Sequence, residues 1–185
     1  MTPVDFIQRL KWRQILIHFV AAWFFLYAFQ TLAFLYNVRM YDALSKIANA
    51  NGKSSSFDLK GENFTIGEAI TYFYYATATW FVGLIVAMVI SLRIAKKRKW
   101  FWVNSLVVFL IIIFLKQQEL LGWSFLKKIF LSPGEIFKGS AYYTTLYLLT
   151  NGLLLLAAGI FIFFNKKINE FIDNKDLMSK NFAAG

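Results

Sequence analysis

Four stretches of this chain carry no formal charge: residues 14–36, 69–92, 100–115 and 141–164. A bilayer core about 30 Å thick takes about 20 helical residues at a 1.5 Å rise. Three of the stretches meet that length. The third holds 16 residues and reaches only about 24 Å. It is completed by Lys116, whose long side chain snorkels to the headgroups. Hydrophobic residues make up 58% of the 185, against roughly 45–50% in soluble domains. The expected fold is an all-α membrane protein with four transmembrane helices, about 14–36, 69–92, 100–116 and 141–164, in two hairpins. Residues 1–165 form one four-helix transmembrane domain, and 166–185 a mixed-charge cytoplasmic tail.

Basic clusters set the orientation. Arg93, Lys96, Lys97, Arg98 and Lys99 fall in seven residues with no acid, directly before Trp100 and Trp102. A Lys or Arg at mid-bilayer costs roughly 2.5–3.5 kcal/mol on insertion scales, so this stretch is a surface hinge. Arg9, Lys11 and Arg13 flank the first span, and Lys166 and Lys167 stop the fourth. All three clusters reach one side if the chain crosses an even number of times between them. The positive-inside rule then puts both termini and the hinge in the cytoplasm. The five hinge cations are candidates for anionic-lipid contact. The net charge of +10 does not point to nucleic acid, because the cations sit beside apolar blocks.

The first span is too long for a cleaved signal core of about 7–15 residues and reads as an uncleaved anchor. The span fits a multi-pass protein of a bacterial plasma (inner) membrane. Two longer stretches lie on the outer side. Tyr41, Leu44 and Ile47 suit a short amphipathic helix, and 120–131, with Lys127, Lys128 and Trp123, suits one lying along the surface. Short motifs recur in order. Lys11-Trp12 and Lys99-Trp100 open the first and third spans; Thr65-Ile66-Gly67-Glu68 and Ser132-Pro133-Gly134-Glu135 precede the second and fourth. A parallel duplication of one hairpin would explain them, as would the common need of helix starts for a capping residue plus an acid.

Chemistry-bearing residues are few. Glu68 and Glu135 each stand three residues after a Ser or Thr, where a carboxylate closes a capping box; catalysis or cation binding is the competing reading. Glu68, Tyr72, Tyr75 and Thr79 on the second span, with Tyr143, Tyr147 and Asn151 on the fourth, form polar stripes from the outer surface inward. Counted from Glu68, Thr79 lies about 16 Å deep. The stripes either glue helices together or line a candidate cavity open to the outside. His18 lies about 8 Å beyond Arg13, and Asn104 reaches a similar depth, so the two form a candidate inner polar pair. Gly83 and Ala87, with Gly152, Ala157, Ala158 and Gly159, offer small contact surfaces. The third span has almost none and is expected to face lipid or a partner.

The chain has no cysteine and one histidine. That removes disulfides, thiolate catalysis and Cys- or His-rich metal sites, and no metal or cofactor is expected. Phosphate-binding glycine loops and nucleophile elbows are absent from the sequence. The preferred expectation is a non-enzymatic accessory or assembly subunit, or a binder of lipid or of a partner membrane protein. The first alternative is a small oligomeric channel or transporter using the Tyr/Thr/Asn stripes. The second is a membrane enzyme using Glu68 or Glu135.

Overall fold

The structure, a computed structural model, describes residues 9–49, 64–118 and 132–173. Among them it is all-helical, with no strand. Helix α1 is Trp12–Ala33; a 3-10 turn, Phe34–Asn37, joins it to α2, Val38–Asn49. Helix α3 is Ile66–Lys97, α4 is Val103–Gln117, and α5 is Tyr143–Phe164. Residues 166–173 form a further helix, α6. Three helical stretches are long and apolar enough to cross a membrane: the one running through α1 into α2, then α3 and α5. Helix α4 is apolar but only 15 residues long, about 22 Å. The surface stretch at 120–131 and residues 174–185 lie outside the described residues.

Helix α1 is the centre. It packs most extensively on α5, then α3, then α4, while α3 and α5 touch only slightly. Composition explains the choice of axis. Ala21, Ala22 and Ala28 are fully buried on α1 and let neighbouring backbones come close. The neighbours supply glycine at the same contacts. A Cβ on Gly83 of α3 would lie 3.0 Å from Phe29 Cβ, and one on Gly159 of α5 would lie 3.2 Å from the Ala21 carbonyl oxygen. Gly152, one heptad before Gly159, faces Leu32 and the Ala28 carbonyl. Helices α1 and α5 thus lie antiparallel along a seam of small residues. Ala157 is exposed, so of the small residues singled out on the fourth span it does not serve the seam.

Helix α4 has no such seam. It buries Asn104, Ser105, Val108, Phe109 and Ile112 and exposes Leu110 and Phe114. At its far end the Lys116 ammonium sits 5.8 Å from the Trp80 ring centroid, midway along α3. Helices α4 and α5 barely touch, so the packing of α1 on α3 is not repeated in the second hairpin. The recurring motifs differ as well. Thr65 and Glu68 form a full capping box at α3, whereas Ser132–Phe137 is a 3-10 segment. Helix α5 starts later, after Tyr142, with no side-chain cap bond. The expectation that Glu135 caps the fourth span is therefore corrected: Glu135 is exposed on the 3-10 segment.

The basic end is closed by a Schellman motif. Trp100 N–H donates to the Ala95 carbonyl at 2.8 Å and Lys99 N–H to that of Lys96 at 3.2 Å. Lys99 occupies the left-handed position, φ 56°, where glycine is usual. Helix α6 folds under this hinge. Asn165 Oδ1 accepts from Ile168 N–H at 3.1 Å, and Asn169 Nδ2 donates to the Phe163 carbonyl at 3.0 Å. Ile172 is buried. Asp173 takes Arg98 Nη1 at 2.7 Å and the Trp100 indole N–H at 2.5 Å. The first eight residues of the expected tail are thus docked against the bundle.

Candidate functional site

At the end away from the hinge, one face of α1 turns polar and aromatic. Tyr27, Gln30, Thr31 and Phe34 fall at i, i+3, i+4 and i+7, one helix face. With Tyr41 of α2 and Tyr147 and Leu148 of α5 they line a cleft of about 250 Å³. Helix α2 continues from α1 through the 3-10 turn and runs beside the cleft for local reasons. Asn37 Oδ1 accepts from Met40 N–H at 3.0 Å, capping the helix start. Met40 then packs with Ala69 and Tyr72 of α3. Asp42 Oδ1 accepts from the Thr144 hydroxyl at 2.6 Å, tying α2 to the first turn of α5. Of the amphipathic face expected from Tyr41, Leu44 and Ile47, the first two pack around Met40, and the Ile47 side chain lies outside the described residues.

The seven residues expected to line one outer cavity are not brought together. The reason is α1, which lies between α3 and α5. Glu68 is exposed, its Oε2 accepting from Thr65 N–H at 2.7 Å and from the Thr65 hydroxyl at 2.9 Å. Tyr72 is buried and stacks on Phe34, ring centroids 5.7 Å apart. Its hydroxyl has no hydrogen-bond partner among the described residues. Tyr75 is exposed beside Tyr36 at 4.6 Å. Thr79 returns its hydroxyl to the Tyr75 carbonyl at 2.8 Å. On α5, Tyr143 rests 5.6 Å from Tyr147, and Tyr147 alone of the seven lines the cleft. Asn151 is buried and accepts from Gly134 N–H at 3.0 Å, holding the 3-10 segment on α5. The missed residues Tyr27, Gln30 and Thr31 carried the same signal on the first span, and Tyr41, expected only on a short amphipathic helix, joins them.

At the basic end, Gln14, His18, Ser91, Asn104 and Ser105 are each at most 1% exposed. Asn104 Nδ2 donates to Gln14 Oε1 at 2.8 Å. His18 Nδ1 lies 2.7 Å from Ser91 Oγ, and the Ser91 hydroxyl donates to Ser105 Oγ at 2.8 Å. The imidazole is edge-on to Phe163 at 5.3 Å and tilted on Trp100 at 5.8 Å. His18 and Asn104 therefore share one cluster, but each bonds another residue rather than its expected mate. Ser91, Ser105 and Gln14 complete it, three polar groups in apolar helices within about 10 Å of the hinge level.

No protein-family model, curated protein or solved structure matches the chain. The residues themselves carry the functional reading. Of the five hinge cations, Arg93, Lys96, Lys97 and Lys99 are exposed. Arg98 is committed to Asp173 and lies 5.6 Å over the Trp100 ring. The cationic surface expected to meet anionic lipid is thus four residues, not five.

Proposed function

We propose that the chain is a four-span protein of a bacterial plasma membrane, α1, α3, α4 and α5 crossing as two hairpins with the hinge and both termini cytoplasmic. Support comes from the outer surface of the bundle. Phe73, Phe81, Ile85, Leu153, Leu154 and Phe161 are 46–61% exposed on α3 and α5, a girdle that water would not tolerate on this scale. Helix α4 is short for a span, yet its two ends carry Trp102 and Lys116, residues that settle at interfaces. A topology experiment tests the hairpins in this cysteine-free chain. Tyr142→Cys and Lys97→Cys are both at exposed positions; the first is expected to react with an impermeant maleimide in intact cells and the second only after permeabilisation. Labelling from one side would sink the arrangement.

Within that frame the protein acts as a non-enzymatic binding or assembly subunit, and the α1–α2–α5 cleft is where it takes its lipid or protein partner. The observation that carries this is the depth of the cleft. Tyr27 to Phe34 stand about 22–33 Å from Trp12 along α1, at the outer interface of a core about 30 Å thick. There aromatic bodies and polar tips suit a headgroup or a partner's helix end. The transporter alternative is less favoured, because Ala21, Ala22, Phe25 and Leu26, all buried and apolar, fill α1 between the two polar ends. The enzyme alternative loses Glu68 to its capping box. Gentle detergent purification is expected to retain a stoichiometric lipid or protein. Gln30→Leu with Tyr147→Phe should cut its retention roughly tenfold by removing two polar contacts of about 0.5–1.5 kcal/mol each. Equal retention by the variant, or a clean homo-oligomer that moves solute in liposomes, counts against the proposal.

A further inference from the structure

A second concavity lies at the opposite end, on the outside of the α1–α5 seam. Leu16 and Val20 of α1, Ile162 of α5, and Ile168 and Phe171 of α6 wall a groove of about 460 Å³. Its walls are apolar, and among the described residues Lys167 is the one charged side chain that lines it. Arg13 stands against the same wall. Its guanidinium carbon lies 4.2 Å from the Phe171 ring centroid, and Nη1 donates to the Phe171 carbonyl at 3.3 Å. That contact uses one of five N–H donors and fixes the cation beside the groove.

The acidic groups of α6 are directed elsewhere. Glu170 is 3.8 Å from Lys166, and Asp173 is taken by Arg98 and Trp100. Among the described residues, Lys167 and Arg13 therefore face the groove mouth without a carboxylate between them. Leu16 to Val20 stand about 6–12 Å along α1 from Trp12, the depth at which an acyl chain leaves its headgroup. We propose that this groove holds one anionic phospholipid, an acyl chain against α1, α5 and α6 and the phosphate on Lys167 and Arg13. The inference rests on the membrane reading above. It differs from the exposed hinge cations, none of which lines this groove and which attract anionic lipid as a charged surface.

Native mass spectrometry of the whole protein in detergent tests it, with phosphatidylglycerol and phosphatidylcholine titrated in parallel. The first phosphatidylglycerol is expected to bind at least about tenfold tighter than phosphatidylcholine, the scale set by two cations. Lys167→Gln combined with Arg13→Gln should erase that preference, and Lys167→Glu alone, a change on an exposed side chain, should erase it as well, because its carboxylate offsets Arg13. Val20→Trp, which fills the groove, should weaken both lipids. Lys96→Gln with Lys97→Gln should leave the preference intact. If the hinge pair abolishes the preference and the groove variants do not, or if Val20→Trp changes nothing, the assignment is overturned. A chain that stays in solution without detergent defeats the membrane reading instead, and that is seen before any lipid is added.

Discussion

Gly159→Leu is expected to lower the thermal midpoint of the detergent-solubilised protein by roughly 5–10 °C, the shift for a loss of about 2–3 kcal/mol in a chain of this size. A Cβ at Gly159 would fall 2.6 Å from Phe25 Cδ2 and 3.2 Å from the Ala21 carbonyl oxygen. Neither neighbour yields easily. The Phe25 ring is held edge-on to Phe163 at 5.7 Å and stacked on Phe29 at 6.4 Å, and the carbonyl belongs to the α1 backbone. Gly→Ala would confuse the test, since alanine's better helix propensity, about 1 kcal/mol, opposes the clash. Leucine is large enough for overpacking to dominate. Ala157→Leu, on the exposed face of the same helix, is the control and should leave the midpoint unchanged. In hydrocarbon there is no hydrophobic drive between helices, so close packing carries the association. Equal midpoints for the two variants would show that the α1–α5 seam is not where the bundle is held.

The helices themselves were readable because charge-free runs of this length have few other uses. The small residues Gly83, Ala87, Gly152 and Gly159 were readable as contacts, and all four are buried. What they contact was not. Periodicity puts residues on one face of a helix but does not say which neighbour that face meets. The Tyr72 and Tyr147 stripes were matched to each other as if α3 and α5 were adjacent, and α1 intervenes. One signal for this was available: Ala21, Ala22, Ala28 and Ala33, all buried, leave α1 open to close approach by more than one neighbour. The tight hinge had no such signal. A Schellman motif announces itself by glycine, and here Lys99 takes the left-handed position at a cost of roughly 1 kcal/mol. The Asp173 contacts with Arg98 and Trp100 join the hinge to α6 across 75 and 73 residues of sequence, which no local pattern encodes.

Helix α4, lacking a small-residue seam, is keyed to α1 by hydrogen bonds, and the Gln14–Asn104 pair is the place to break that key. Asn104→Leu is expected to destabilise by about 1–3 kcal/mol, since Gln14 is left fully buried with its Oε1 acceptor unpaired. Its Nε2 has no partner among the described residues even in the native pairing, so the loss leaves the whole amide unsatisfied. Gln14→Leu strands Asn104 Nδ2 in the same way. The double variant removes both ends of the Gln14–Asn104 bond and fills the site with hydrocarbon of similar volume, a replacement that is nearly neutral where both partners go together; it keeps the single variant's loss of the 3.4 Å bond that Asn104 Oδ1 accepts from Lys11 N–H. It should therefore be more stable than either single variant, with a coupling of roughly 0.6–1.7 kcal/mol, from the average to the largest value measured between helices in lipid. Denaturation in a mixed-detergent titration of all four proteins gives the cycle. Strictly additive losses would mean that the two side chains act independently, and α4 would then have to be held by the Ser91–Ser105 bond and the Val108 and Ile112 contacts alone. A double variant that recovers stability but lets α4 rotate, exposing a cysteine placed at Ser105 to a membrane-permeant maleimide, would separate the two roles of the pair: modest in energy, decisive in fixing which face of α4 meets α1.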